Sequence, residues 1–256
     1  MSEWLVLVIA MALACALVIS AVVLRQRRVS ADDDPSQTPD VIEYMTMMIG
    51  VIYAIVLGLA IAGVWEARNA AQDNAFSEAQ ALHEVSERAQ VYPPAVRDHV
   101  RADVRAYVSY VVGTEWKHME EHEELSPHAT ELLDRVRHDV MDREPRSEAE
   151  SQTYQSMADL VATADTARNT RGQNAGPTMP GIVWFGLITG ALVTVGLIFT
   201  LQIRRSGREL LLAGMFSALI VFLLFLIWDL DAPFGRGLGA TTEPFLDLFP
   251  SVGAGG

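Results

Sequence analysis

Residues 44–64 read YMTMMIGVIYAIVLGLAIAGV, and the reading of this stretch decides the fold. It holds 21 residues without a charge. At about 1.5 Å of rise per residue, such a helix crosses a hydrocarbon core of roughly 30 Å. No proline follows until Pro93. The intervening WEARNAAQDNAFSEAQALHEVSERAQ (65–90) is rich in Ala, Glu, Gln and Arg, all strong helix formers. An apolar repeat at Ala67, Ala71, Ala75, Ala79 (or Glu78), Leu82, Val85 and Ala89 fits one helical face. Asp40–Val91 therefore reads as one helix of about 50 residues, about 75 Å long. It starts in one water layer, crosses the membrane and continues into the other. Asp40 and Glu43 suit the positive end of its dipole.

Outward from this helix, three further apolar runs have spanning length: Trp4–Leu24, Ile182–Ile203 and Leu210–Trp228. Arg25–Arg28 (RQRR) follows the first run, and Gln202–Arg208 (QIRRSGR) follows the third. Basic short loops stay cytoplasmic. Both loops then lie inside, and both termini and the region between the second and third runs lie outside. The organisation expected is a first transmembrane helix with its basic flank (1–28), a polar linker (29–39) and a second helix (40–64). An acidic helical insert continuous with that helix follows (65–180), then third and fourth helices (181–228). The chain ends in a turn and a tail read as disordered from Leu248 (229–256).

The insert reads as helical throughout. Pro93-Pro94 breaks the long helix, and proline suits a new first turn. Helix two, Ala95–Glu124, carries Val96, Val100, Val104, Tyr107, Val108, Val111 and Val112 at helical spacing. Ser126-Pro127 starts a third helix to about Asp142, with Leu132, Leu133, Val136 and Val140 on one face. Ser147-Glu148-Ala149-Glu150 is a capping box that opens a fourth, to about Arg171. The fold class is all-α: an integral membrane protein with four transmembrane helices and a helical-bundle insert between the second and third.

Charge narrows the partners. The chain carries −13, and residues 65–180 hold 21 acidic against 12 basic side chains, or −9. That disfavours nucleic acid and anionic lipid surfaces. The single cysteine, Cys15, excludes an intramolecular disulfide and a cysteine-based zinc cluster. The four runs contain no Asp, Glu, Lys, Arg or His, which argues against a pump or an ion-coupled carrier. No cofactor motif and no enzyme motif of weight is present. The one pattern with catalytic form is His118-Met119-Glu120-Glu121-His122, an H-x-x-E-H match. It puts His118 and His122 on one face as candidate metal ligands. The competing reading is an exposed, charge-rich helix end.

Glu66, Asp229 and Asp231 fall at the outer ends of the second and fourth runs. Repeated around a symmetric oligomer, each would form a carboxylate ring at a pore mouth. Taken singly, each also reads as an interfacial charge, or as part of the Asp229–Phe234 turn packing against the insert.

Several segments together resemble a known family. They are GVIYAIVLGLAIAGVWEARNAA (50–71), EAQAL (78–82), RAYVSYVVGTEW (105–116) and LIWDLDAPFGRGLG (226–239) with EPF (243–245). They look like the bacterial bestrophin-like membrane proteins (the DUF4239 group), over about Gly50 to Phe249. The most specific pieces are Asp229-x-Asp231-x-Pro233-Phe234 and Pro244-Phe245. The resemblance implies four transmembrane helices with a helical insert. It also implies kinship with bestrophins, which are homo-oligomeric anion channels. On that reading the chain pairs with itself in the lipid bilayer and passes inorganic ions. The candidate pore-lining residues on the second helix are Gly50, Tyr53, Ala54, Leu57, Gly58 and Ile61. The resemblance points to anions, whereas the acidic insert points to cations. The alternative is a non-conducting sensor or scaffold whose acidic bundle binds a protein or a cation.

Overall fold

A computed structural model describes residues 9, 20, 40–198, 207–236 and 241–253. Apart from Ile9 and Ser20, the first apolar run, Arg25–Arg28 and the 29–39 linker lie outside the described residues, as does most of the second basic loop. The regular elements among the described residues are all helices, with no strand among them. Helix α1 runs without interruption over Asp40–Arg88, 49 residues. A 3-10 turn at Ala89–Val91 closes it, so the break falls where Pro93-Pro94 requires it. The chain divides into two compact units, Met1–Trp65 with Met179–Asp229, and Glu66–Thr178 with Leu230–Gly256. The division falls within α1.

The first unit contains the apolar half of α1, helix α6 (Gly181–Ile198) and most of helix α7 (Gly207–Leu230). Two described stretches are long and apolar enough to cross a membrane, in Tyr44–Val91 and Leu211–Leu230, with window mean hydropathies of 2.5 and 2.7. The apolar helix from Gly181 is shorter. The described residues therefore carry two clear spans, against the four expected. The burial pattern suits lipid. Met45, Ile52, Leu59, Phe185, Leu192, Leu212 and Met215 are all exposed on the chain alone, and an apolar surface of that kind marks a membrane or partner face. Within the unit, Tyr53 is buried and its hydroxyl donates to the Leu187 carbonyl at 2.9 Å. Gly190 makes that approach possible: a Cβ there would stand 2.6 Å from the Tyr53 ring.

The second unit is the helical insert. Its helices are the outer half of α1, α2 (Pro94–Tyr110), α3 (Trp116–His122), α4 (Pro127–Met141) and α5 (Glu148–Gln173). Short helices α8 (Glu243–Leu248) and α9 (Pro250–Gly253) complete it. The alanine stripe of α1 is the core face expected from the sequence: Ala71, Ala75, Ala79, Leu82, Val85 and Ala89 are fully buried. All but Ala71 pack with Val100, Val104 and Tyr107 of α2, Leu133, Val136 and Val140 of α4, and Met157 and Val161 of α5. Ser147 caps α5, its Oγ accepting from Glu150 N at 3.1 Å. Glu150 Oε2 reaches back to Arg146 N at 2.9 Å, one residue before the usual capping-box partner.

Two features depart from the expectation. Helix two is not uniform. Between α2 and α3 the chain makes a wide π turn at Val111–Glu115. An even helix would let Val111, Glu115 and Met119 drift off one face, since four-residue steps overshoot a 3.6-residue turn. The wider turn takes up the excess, and all three are buried. The disordered tail expected from Leu248 is also corrected, for residues 248–253. Phe249 is buried, its ring meets His83 edge-on at 5.7 Å, and Val252 packs on the core. Phe245 is fully buried there as well. Phe245→Ala should cost about 3–5 kcal/mol of stability, read as a lower thermal midpoint of the purified protein. Phe76→Ala, at a half-exposed ring on α1, should stay within about 0.5 kcal/mol.

Candidate functional site

The candidate residues on α1 separate into two faces. Tyr53 and Leu57 are buried on one, where Tyr53 meets α6. At about 100° per residue, Gly50, Ile61 and Ala54 stand about 60–100° further round, and Gly58 about 140°. On these positions Ala54 and Gly58 are exposed and Gly50 and Ile61 half-buried. A Cβ added at Gly50, Gly58 or Gly63 would meet nothing within 4 Å of the same chain. Ala54 and Gly58 are therefore left open by the subunit's own described atoms, and Gly50 and Ile61 are left open in part. The close approach within the subunit is at Gly190. Gly190→Ala should destabilise by about 1–3 kcal/mol through overpacking against the ring. Combining it with Tyr53→Ala should cost less than the sum of the two single changes, measured by thermal unfolding.

The three acidic candidates have different surroundings. Glu66 is exposed. Asp229 is buried, and so is Asp231. Asp231 holds the return loop: its carbonyl accepts from Thr178 N at 2.9 Å, and its Oδ1 accepts from Thr178 Oγ1 at 3.1 Å. Phe234, on the same turn, packs edge-on against Trp116 at 5.4 Å, with Ala71, Met119 and Ala175 around it. His118 and His122 lie one turn apart on α3 with rings stacked at 4.4 Å. His122 Nδ1 lies 3.2 Å from the His118 carbonyl. Among the described residues, the cluster of three metal-ligand atoms lies elsewhere, at His99, Asp103 and Asp139.

The most concentrated chemistry was not singled out by the sequence. Glu78 of α1, Glu115 of the π turn, and Arg168 and Arg171 of α5 form a buried, charge-neutral set. Arg171 is fully buried. Its Nε donates to Glu78 Oε2 at 2.9 Å, and its Nη2 donates to Glu78 Oε1 at 3.0 Å and Glu115 Oε2 at 2.9 Å. Its Nη1 faces Met119 Sδ, and the guanidinium lies 5.5 Å from the Trp116 ring centre. Arg168 Nη2 donates to Glu115 Oε1 at 2.6 Å and to the Ser126 carbonyl at 3.0 Å. Ser126 N in turn donates to Glu115, and the Tyr107 hydroxyl donates to Glu78.

The electrostatics follow from burial and pairing. Burial alone opposes charge on Arg171, but Glu78, Tyr107 and Glu115 reverse this and hold it firmly protonated. Burial first, then the Glu78 charge, push the Tyr107 hydroxyl well above its ordinary range, so it stays a donor. The signal in the sequence was Glu78, sharing the apolar stripe with Ala79. On α5, Met157, Val161, Ala164, Arg168 and Arg171 recur at helical spacing and are all buried, so the two arginines occupy core positions.

Removing one member of such a set strands a buried charge. Arg171→Met should therefore cost about 3–5 kcal/mol. Arg137→Met, which breaks surface pairs to Asp134 and Asp165, should cost less than about 1 kcal/mol. Denaturant unfolding of the two variants beside the parent separates these outcomes.

An all-helical chain, with one outward-apolar unit and one unit built round buried charge, is the class defined by these features. The chain belongs to the bestrophin-like family: the model of the Bestrophin-like domain matches residues 6–245. No curated protein matches it. Its fold is similar to crystal structures of a bacterial bestrophin homologue from Klebsiella pneumoniae. The form phased by Zn-SAD has 14% identity over 94% of this chain and 97% of that chain, with a TM-score of 0.67. One point variant gives 16% identity, 96% and 95% coverage and a TM-score of 0.68. A second gives 14%, 94% and 98%, and 0.67.

Proposed function

We propose that this protein is a homo-oligomeric, passive ion channel with four transmembrane helices, lined chiefly by the apolar half of α1. The observation that carries the reading is the strip of Gly50, Ala54, Gly58 and Ile61, exposed at Ala54 and Gly58 and half-buried at Gly50 and Ile61, on a span without ionisable groups. Assembly about an axis would turn one such strip per subunit toward a shared path. Tyr53 and Leu57 flank it, and Tyr53 anchors α1 to α6 through the Leu187 carbonyl. Membership of the bestrophin-like family supports the same reading, as do structural relatives described as bacterial bestrophin homologues.

The basic stretches Arg25–Arg28 and Gln202–Arg208 favour the cytoplasmic side by the positive-inside rule. On that reading the −9 insert lies outside the cell. Glu66, Asp229 in the last turn of α7, and Asp231 just after that helix are proposed as mouth residues. The exposed Glu66 is the one best placed to meet passing ions. The His118–His122 pair, which no third ligand joins among the described residues, is proposed as a weak, non-saturating surface metal contact with no part in conduction.

The test is flux from liposomes holding the purified protein, with chloride and potassium gradients applied separately. The reading expects flux of one ion, chloride being the one favoured by kinship, and its strong reduction by Gly58→Leu in protein that remains folded. No flux of either ion from folded protein inserted in both orientations would replace the channel with a non-conducting sensor or scaffold that binds through its acidic bundle.

A further inference from the structure

We propose that His99, Asp103 and Asp139 form a binding site for one divalent transition-metal ion of the zinc type, joining α2 to α4 in the insert. His99 and Asp103 stand one turn apart on α2, and an i, i+4 pair shares one helical face. Asp139 comes across from α4. The three ligand atoms all lie within 4.8 Å of one another. His99 Nε2 is 3.5 Å from Asp139 Oδ2 and 4.0 Å from Asp103 Oδ2. These are ion-pair separations when His99 is protonated, and with His99 neutral a common ion about 2.0–2.2 Å from each ligand would fit after a small closure of the side chains.

A second, independent observation points the same way. Asp139 Oδ2 is shut off from solvent and has no hydrogen-bond partner. A carboxylate oxygen in that position is costly unless a cation completes it.

The donor set selects the class of ion. One imidazole with two carboxylates suits zinc and its transition-metal neighbours. Calcium and magnesium prefer larger, all-oxygen shells. The site is also accessible: the His99 side chain is 65% exposed, while those of Asp103 and Asp139 are 15% and 22% exposed. A fourth position would remain open to water on the solvent side. Beneath the cluster, Val100 and Val104 pack with Val136 and Val140 in the insert core, so both helices are already positioned and an ion would tighten a contact that exists.

The experiment uses the full-length protein in detergent micelles, stripped with chelator and titrated with zinc by calorimetry. Cobalt absorption serves as a second readout. Wild type should bind one saturable equivalent, and H118A/H122A should keep it. H99A and D139N should each lose it. Zinc should raise the thermal midpoint of wild type but not of D139N, because binding to the native state alone stabilises by mass action. H99A removes an exposed ring and D139N relieves a crowded charge, so both leave the fold intact, which the midpoint of the stripped proteins checks. An equivalent that persists in both H99A and D139N, or its absence from wild type, would overturn the site.

Discussion

An α-helix closes its own backbone hydrogen bonds, so one helix can begin in lipid and end in a water-surrounded bundle without an orphaned N–H or C=O on the way. Helix α1, Asp40–Arg88, rests on this property. Its first half presents Met45, Ile52, Ile55 and Leu59 outward. Its second half turns Ala71, Ala75, Ala79 and Leu82 inward. Apolar side chains face outward where the surroundings are apolar and inward where the surroundings are water. A break anywhere between Tyr44 and Arg88 would need local capping, and none is built there.

Within the insert, the buried Glu78–Arg171–Glu115–Arg168 set draws together four segments distant in sequence: α1, the π turn, the Ser126 cap and α5. Buried ion pairs add little net stability, because desolvation offsets most of their attraction. Their effect is on alternatives. Any packing that shifts one helix by a turn leaves a charge without its partner, and that is costly. The apolar core of alanine and valine is less discriminating, since small side chains fit several registers. The alanine stripe lets the helices approach closely, and the charged set fixes which residues meet. The π turn belongs to the same solution, because it brings Glu115 onto the buried face with Val111 and Met119.

Much of this was legible in the sequence, for identifiable reasons. The α1 stripe, the Ser126-Pro127 start and the Ser147 cap each rest on local chemistry, and local chemistry is written in order along the chain. Phe234 packs on Trp116 of the insert, which is one of the readings the sequence leaves open for the Asp229–Phe234 turn. What was not legible depends on partners far away. Nothing local marks Arg168 and Arg171 as buried, because their partners Glu115 and Glu78 come from 53 and 93 residues away. Tyr53 and Gly58 look alike as members of an apolar run, but one is buried toward α6 and the other is exposed. The tail around Phe249 and Val252 has the small-residue composition of a loose end, and its burial comes from the core of α1 and α2. The first apolar run and the basic stretch after it lie outside the described residues.

The central claim is that the strip of Gly50, Ala54, Gly58 and Ile61 faces a path for ions. Cysteine scanning along α1 tests it most directly, with Cys15→Ser as the background and current recorded across planar bilayers. Ala54→Cys and Ile61→Cys should conduct and then be blocked by a charged, membrane-impermeant thiol reagent. Ile52→Cys and Leu59→Cys, on the outward apolar face, should conduct and be indifferent to it. Block at the outward positions with none on the strip, or no current in the background protein itself, would contradict the account.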